Sequence, residues 1–131
     1  PGGSYGADCF HCHGFGSMQM TDGLFHNNGL DVHFSADPGR YNVTFHPLDS
    51  GKFKTPTLRN IEFTSPYMHD GRFFTLDDVL NHYSRGVVQS ETLDPILSKG
   101  IVLNDEEKRK IILFLKTLTD KEFIRNTKFS N

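Results

Sequence analysis

Two segments in the second half of the chain carry apolar residues at helical spacing. In TLDDVLNHY, one helical face follows the i, i+3, i+4, i+7 pattern: Leu76, Val79, Leu80 and Tyr83. Thr75 precedes this face as a candidate N-cap, and Asp78 lies three residues on, as in a capping box. The spacing therefore predicts a helix whose inward face includes Tyr83 and leaves His82 on a different face.

The segment NDEEKRKIILFLKTLTD predicts the longest helix of the chain. Asn104 is its candidate N-cap, Glu107 occupies the third position, and acidic residues fill the first turn, where the helix dipole favours them. Its predicted buried stripe consists of Ile111, Ile112, Phe114, Leu115 and Leu118.

The remaining chain shows little periodicity. Residues 1–50 are rich in Gly, His, Asp and Asn, and they predict a short helix around Cys9 to His13 followed by a long loop. In TPTLRN, Thr55 can cap a further short helix with Pro56 at its first position. Since no alternating strand pattern extends beyond a few residues, we expect residues 1–131 to form one all-α domain.

The composition limits the classes of function that this chain can have. An apolar fraction of 36% is low for a core of 131 residues, so a bound group is expected to fill part of the interior. A net charge of −2 without a run of Lys or Arg argues against nucleic acid as a partner. No stretch approaches the roughly 18 apolar residues of a membrane span.

The motif with the clearest chemistry is ADCFHCHGFG, which contains both cysteines of the chain. A disulfide between Cys9 and Cys12 would close a very small loop and leave His13 unexplained. A thioredoxin-like redox pair needs a βαβ context, and a zinc site needs further ligands at familiar spacings.

The interpretation that accounts for all three residues is covalent haem attachment, for which Cys-x-x-Cys-His is the signature. On one helical face, Cys9 and Cys12 can add to the two vinyl groups of a porphyrin. His13 is then placed to be the proximal iron ligand. The sequence predicts one haem c per chain.

Several ordered motifs give this chain a family resemblance. These are CFHCHG, FHNNGL, DPGRYNVT, GKFKTPTLRNIEFTSPYMHDGRFFTLDDVLNHY and IILFLKTLTD. Together they resemble the C-terminal haem domain of bacterial di-haem cytochrome c peroxidases and their MauG-like relatives. The resemblance implies a cytochrome c-like fold with long loops around the haem. It also implies that an N-terminal haem domain and part of the first helix are absent from this chain.

The resemblance also suggests a sixth iron ligand. The position that carries the distal ligand in the family matches Tyr83, where well-studied peroxidases have Met and MauG-like enzymes have Tyr. Met68 is the alternative, because a thioether is a common sixth ligand of c-type haems. A phenolate would lower the reduction potential and favour MauG-like chemistry, whereas a thioether would raise it.

Further contacts follow from the same central motif. Arg59 of TPTLRN is a candidate for a salt bridge with a haem propionate, and we count Pro56 among the candidate haem contacts. His69 of YMHDG is expected near the propionates, with Asp70 fixing its tautomer. The family also implies a calcium ion bound by the backbone carbonyls of Thr64 and Pro66.

The resemblance implies an oxidoreductase in which this domain relays electrons while the missing domain reduces hydrogen peroxide to water. Its implied partners are that domain, a small donor cytochrome c or cupredoxin, and a second copy of the parent protein in a homodimer. The alternatives are a MauG-like oxidase domain with a His/Tyr haem and a non-catalytic monohaem electron-transfer cytochrome c. Because thioether attachment takes place outside the cytoplasm, the expected compartment is the periplasm.

Overall fold

The computed structural model describes residues 7–14, 16 and 19–129 of the chain. Its α-helices are α1 (Tyr41–Thr44), α2 (Leu76–Asn81), α3 (Asp105–Thr117) and α4 (Lys121–Arg125). A π-helical turn, His82–Gly86, continues α2. Short 3-10 turns lie between these elements, at Cys9–His11, Pro47–Asp49, Ile61–Phe63, Pro95–Leu97 and Thr127–Phe129.

A small antiparallel ladder accompanies the helices. Strand β1 (Phe25–His26) pairs with β2 (Phe53–Lys54), and Phe25 lies opposite Lys54. Helices are therefore the principal regular structure of the described residues, which also contain a ladder that the all-α prediction did not include. Strands of two residues are too short to produce an alternating pattern, so the sequence carried no signal for them.

Both predicted capping boxes are present. The Thr75 side chain accepts from the Asp78 backbone N–H, and the Asp78 carboxylate accepts from the Thr75 backbone in return. Asn104 and Glu107 form the same reciprocal pair at the start of α3. Each box satisfies donors that have no partner inside the helix, which fixes where α2 and α3 begin.

The helix predicted within TPTLRN is absent. Thr55 donates its backbone N–H to the Leu24 carbonyl at 2.9 Å, and Leu58 donates to Gln19 at 3.2 Å. These long-range bonds hold the segment against the loop of residues 19–24, so its backbone groups are not free to form helical turns. Helical structure begins only at Ile61–Phe63.

A small apolar cluster joins the central segment to α2 and α3. Its buried members are Leu58, Leu76 and Leu115, one from each segment. Phe114, which we predicted in the buried stripe of α3, is 43% exposed because Leu115, the next residue along the helix, takes the inward position. Among the described residues, no helix has the length and apolar character that crossing a membrane requires.

The end of α2, where α geometry changes to π geometry, carries two neighbouring aromatic residues. His82, predicted away from the inward face, is only 5% exposed. The rings of His82 and Tyr83 lie 5.2 Å apart in an edge-on arrangement.

Candidate functional site

The cysteine motif forms a single tight turn. Cys9–His11 is a 3-10 helix, and the His13 N–H donates to the Cys9 carbonyl at 2.9 Å. Both thiols are free. The Cys12 carbonyl accepts from the Asp22 N–H at 2.9 Å, which closes the following loop back onto the motif. The predicted helix around Cys9 to His13 is thus a single turn, and it places all three motif residues next to one another.

The His13 imidazole is held in one orientation by the backbone. Its Nδ1 lies 2.9 Å from the Met20 carbonyl oxygen, and because a carbonyl only accepts, Nδ1 carries the proton. Burial lowers the pKa of His13, which keeps the ring neutral near pH 7. A neutral imidazole with Nδ1 occupied presents the lone pair of Nε2, the arrangement typical of metal-ligating histidines.

The Cys12 thiol lies beside an acidic cluster. His26 bridges two carboxylates, with Nδ1 2.6 Å from Asp94 Oδ2 and Nε2 2.8 Å from Asp22 Oδ2. Burial, together with the negative charges of Asp94 and Asp22, raises the pKa of Cys12 to about 11. Redox-active Cys-x-x-Cys pairs have thiol pKa values below the usual range, so this environment does not suit a thioredoxin-like pair.

The Tyr83 phenol has an environment that disfavours its ionisation. Burial raises the pKa of the Tyr83 phenol, and the Cys12 and Cys9 thiols raise it further, whereas a hydrogen bond with the Asn28 side chain lowers it. The protonation of Tyr83 is thus linked electrostatically to the cysteine motif.

Met68 approaches the same asparagine. The Asn28 Nδ2 donates to the Met68 Sδ at 3.4 Å, so the two candidate oxygen and sulfur ligands converge on one carboxamide. Met68 itself has a φ of 72°, in the left-handed region that a residue with a side chain rarely adopts. A turn in which Gly71 donates to the Met68 carbonyl at 3.3 Å accompanies this conformation.

The backbone of Asn28 is fixed by a buried histidine. His82 Nε2 donates to the Asn28 carbonyl at 2.9 Å. Burial lowers the pKa of His82, so the ring remains neutral and keeps Nδ1 without a proton. The π turn thus supplies one residue that anchors Asn28 and a second, Tyr83, that contacts its side chain.

The two candidates from TPTLRN lie on the segment that follows β2. The Arg59 guanidinium pairs with the Asp120 carboxylate at 2.6 Å and lies 4.0 Å above the centre of the Phe123 ring. Pro56 is exposed on the extended segment that follows β2. The contacts of Arg59 thus join the central segment to α4.

The two predicted calcium positions are exposed. Thr64 ends the Ile61–Phe63 turn, and its hydroxyl donates to the Ile61 carbonyl at 3.1 Å. Pro66 lies just beyond it in the loop that leads to Met68. Both carbonyls belong to an exposed loop, and a calcium ion there remains a prediction.

His69 and Asp70 were predicted to pair, but the structure shows each of them in contact with other residues. Asp70 binds Arg72 Nε at 2.7 Å, and Arg72 Nη2 also pairs with Asp31 at 2.6 Å. His69 stacks on the Phe53 ring at 3.6 Å, with its Nε2 3.6 Å from a carboxylate oxygen of Asp37. These side chains line a cavity of about 280 Å³ that also reaches Asn28.

Sequence reasoning missed the residues that organise the site. Asn28 and His26 both lie in FHNNGL and its surroundings, where no periodic pattern marks either residue. Both acquire their roles from residues forty or more positions away, such as Met68 and Asp94. The presence of FHNNGL among the family motifs was the one signal that this loop carries specific residues.

Comparisons with known proteins indicate the same family as the sequence motifs. No family model matches the chain. The cytochrome-c peroxidase IdrP1 of Pseudomonas sp. (strain SCT) is 41% identical over 86 residues, which cover 66% of this chain and 22% of that protein. The methylamine utilization protein MauG of Methylorubrum extorquens is 33% identical over 112 residues, covering 86% of this chain and 31% of that protein.

A solved structure agrees at the level of the fold. It is described as a MauG-like protein associated with microbial copper homeostasis, and it superposes with a TM-score of 0.84 at 36% sequence identity. The match covers 96% of this chain and 44% of that one. This chain therefore spans less than half of the proteins it matches. We conclude that it belongs to the di-haem family of cytochrome-c peroxidases and MauG proteins.

Proposed function

We propose that this chain is the electron-relay haem domain of a di-haem cytochrome c peroxidase that reduces hydrogen peroxide to water. The observation that carries the proposal is the Cys9–His13 turn, in which two free thiols precede His13, whose Nδ1 bonds the Met20 carbonyl so that Nε2 is left available. Such a donor set suits a c-type haem, which supplies one-electron transfer when bound. The proposed cofactor is thus one covalent haem c per chain.

The residues around the turn have separate tasks in this proposal. Cys9 and Cys12 hold the macrocycle through thioether bonds, and their protonated state protects them from oxidation to a disulfide before attachment. His13 is the proximal ligand, oriented by the Met20 carbonyl. This bond keeps the Nδ1 proton in place and so raises the basicity of the coordinating nitrogen.

A MauG-like domain with a His/Tyr haem is the second candidate. It is favoured by the proximity of Tyr83 to Cys9 and Cys12, whose thiols raise the pKa of its phenol. Met68 is the corresponding ligand in a peroxidase-type domain. Whichever residue coordinates, Asn28 contacts it through its side chain.

The proposal also includes the compartment of the protein, its partners and further contacts of the haem. We infer a periplasmic protein in which a second haem domain reduces peroxide and a small cytochrome c or cupredoxin delivers electrons to this one. A homodimer of the parent protein is part of the same proposal. So are a calcium ion at the Thr64 and Pro66 carbonyls, a salt bridge from Arg59 to a haem propionate and a haem contact from Pro56.

The experiment that tests the proposal is production of the chain together with the machinery that attaches c-type haem. A pyridine haemochrome spectrum with a c-type α-band is expected, and haem stain must persist on a denaturing gel. Cys9→Ala combined with Cys12→Ala should remove the stain. The purified chain should accept electrons from a reduced small cytochrome c.

Two histidine variants distinguish loss of an iron ligand from general disruption of the fold. His13→Ala should lose the native spectrum, whereas His33→Ala, which changes an exposed histidine, should retain it. Absence of covalent haem in the unmodified chain would contradict the proposal. A haem-loaded chain that exchanges no electrons with any small redox protein would remove the relay role and leave haem binding alone.

A further inference from the structure

The residues around Cys12 form a mixed cluster of sulfur, nitrogen and oxygen donors. One ligand atom each of Cys12, Asp22 and His26 lies within 4.8 Å of the other two. Thiolate, imidazole and carboxylate are the side-chain ligands that Zn²⁺ takes in proteins. The further zinc ligands that the sequence spacing did not offer are therefore supplied by the fold, from the loop and the strand β1 that follow the cysteine motif.

A metal ion can replace the proton on one side of the His26 imidazole. Its Nε2 lies 2.8 Å from Asp22 Oδ2, and its Nδ1 lies 2.6 Å from Asp94 Oδ2. When an ion takes the place of the Nε2 proton, Nδ1 still donates to Asp94. A ligating histidine whose other nitrogen donates to a carboxylate is the usual arrangement in metal sites, because that contact fixes the tautomer and the ring orientation.

Backbone contacts hold both carboxylates in place. Asp22 Oδ1 accepts from the Leu24 N–H at 2.9 Å, and Asp94 Oδ1 accepts from the Ile96 N–H at 3.0 Å. Each carboxylate therefore directs its remaining oxygen, Oδ2, toward His26. The donor atoms are thus oriented by the chain before any ion binds.

The charge and dimensions of the cluster suit a divalent cation. The negative charges of Asp22 and Asp94 act on the Cys12 sulfur, and the same charges favour a cation beside it. Neighbouring ligand atoms of a tetrahedral zinc are about 3.3–3.7 Å apart, so the contact between Asp22 and His26 widens and the Cys12 Sγ moves closer, each by about 1 Å at most. The Asp22 and His26 side chains are 19% and 23% exposed, which leaves an approach for the ion and for a water as the fourth ligand.

We propose that the haem-free chain binds Zn²⁺ through Cys12 Sγ, His26 Nε2 and a carboxylate oxygen of Asp22, with Asp94 as the residue that orients His26. The ion displaces the proton between His26 and Asp22 and the proton of the Cys12 thiol. A zinc-bound Cys12 sulfur is not free to form a thioether or a disulfide. Zinc and covalent haem therefore exclude each other at Cys12, and only this last step rests on the proposed function.

The test uses the full chain, produced without the haem-attachment machinery and kept reduced, with Co²⁺ as the optical probe. Thiolate ligation of Co²⁺ gives an intense charge-transfer band in the near ultraviolet, and we expect this band to saturate at one ion per chain. Addition of Zn²⁺ should remove the band, because thiolate ligands select Zn²⁺.

Paired variants identify the ligands. Cys12→Ser should abolish the cobalt band, whereas Cys9→Ser should retain it, because Cys9 is not one of the three ligands. Asp94→Asn should weaken the affinity for Zn²⁺ by about 10–100-fold, as for other residues that orient a metal-bound histidine. His26→Gln should weaken it further, and His33→Gln, which changes an exposed histidine, should leave it unchanged. Circular dichroism of each metal-free variant controls for loss of the fold.

The outcomes separate this inference from the proposed function. Absence of the cobalt band in the unmodified chain would overturn the zinc site. So would a band that Cys9→Ser removes as completely as Cys12→Ser while His26→Gln leaves it unchanged, since the two thiols alone would then hold the ion. Neither result bears on haem attachment, which the pyridine haemochrome spectrum tests separately. The haem-loaded protein should show no such Zn²⁺ binding in titration calorimetry, and undiminished binding there would overturn the exclusion at Cys12.

Discussion

The bridge formed by His26 provides the sharpest quantitative prediction. Replacement by leucine removes both hydrogen bonds to the Asp22 and Asp94 carboxylates, at 2.8 and 2.6 Å, and leaves two negative charges facing an apolar side chain. A hydrogen bond to a charged group contributes about 1.5–3 kcal/mol. The three side chains are 23%, 19% and 20% exposed, so water compensates in part. We therefore expect the free energy of unfolding to fall by about 2–4 kcal/mol at pH 6.

The pH dependence follows from the charge on His26. Burial alone would lower the pKa of His26, but the hydrogen bonds with Asp94 and Asp22 outweigh it, so the pKa is raised. The stabilisation is fully present below the unfolded-state pKa of about 6.5 and is lost as pH rises through the higher folded-state pKa. The difference between the unmodified chain and His26→Leu should accordingly be larger at pH 6 than at pH 9.

Urea denaturation followed by circular dichroism measures both quantities. With a slope of about 2 kcal/mol per molar urea, the midpoint of His26→Leu should lie about 1–2 M lower at pH 6. His33→Leu is the matched control, because His33 is exposed. A loss below about 1 kcal/mol at pH 6, or a difference that grows toward pH 9, would refute the reasoning.

Two further pairs of variants test the packing around the site. Gly51→Ala and Gly100→Ala both place a side chain at a φ of +69°, but only the Cβ at residue 51 would collide with the Phe34 ring. Gly100→Ala should cost about 1 kcal/mol from backbone strain, and Gly51→Ala about 1–3 kcal/mol more; equal losses in urea denaturation would contradict the crowding argument. Lys108 is 5% exposed, and its Nζ donates to Asn81 Oδ1 at 2.8 Å. Asn81→Leu, which strands the ammonium, should therefore cost about 1–3 kcal/mol, whereas Lys108→Met should change stability by less than about 1 kcal/mol; the reverse order would contradict it.

Features set by neighbours in sequence were predictable. The Thr75 and Asn104 capping boxes depend on residues three positions apart, and both are present. The cysteine motif likewise brings Cys9, Cys12 and His13 together within a single turn. In each case the contacts lie within one turn of the chain, so the residue spacing alone carries the geometry.

Features set by distant contacts escaped prediction. The extended course of TPTLRN depends on bonds from Thr55 to Leu24 and from Leu58 to Gln19, which helix-start signals do not include. His82 is 5% exposed although the apolar pattern of α2 marks Tyr83, not His82, as inward. The hydrogen bond of His82 to Asn28 joins residues 54 positions apart, so no local sequence pattern indicates either partner.

Buried polar side chains complement the small apolar core of the described residues. Among the described residues, the buried apolar side chains are Leu58, Leu76, Leu80, Leu97 and Leu115, while a set of similar size is polar: Asn27, Thr55, Asn60, His82, Thr92 and Lys108. Within that part of the chain, every buried side-chain nitrogen or oxygen has a hydrogen-bond partner.

These buried polar groups connect segments that hydrophobic contact alone would leave free to slide. Asn27 ties the Asn28 loop to Thr92, whose hydroxyl donates in turn to the Ser50 carbonyl at 2.6 Å. Asn60 accepts from the Asp120 N–H at 2.6 Å and so joins the central segment to the start of α4. Hydrogen bonds are directional, whereas apolar contact is not, so such links fix loops at defined positions. Because Asn28 lies in one of these loops, its placement beside Met68 and Tyr83 follows from the buried polar framework rather than from the size of the core.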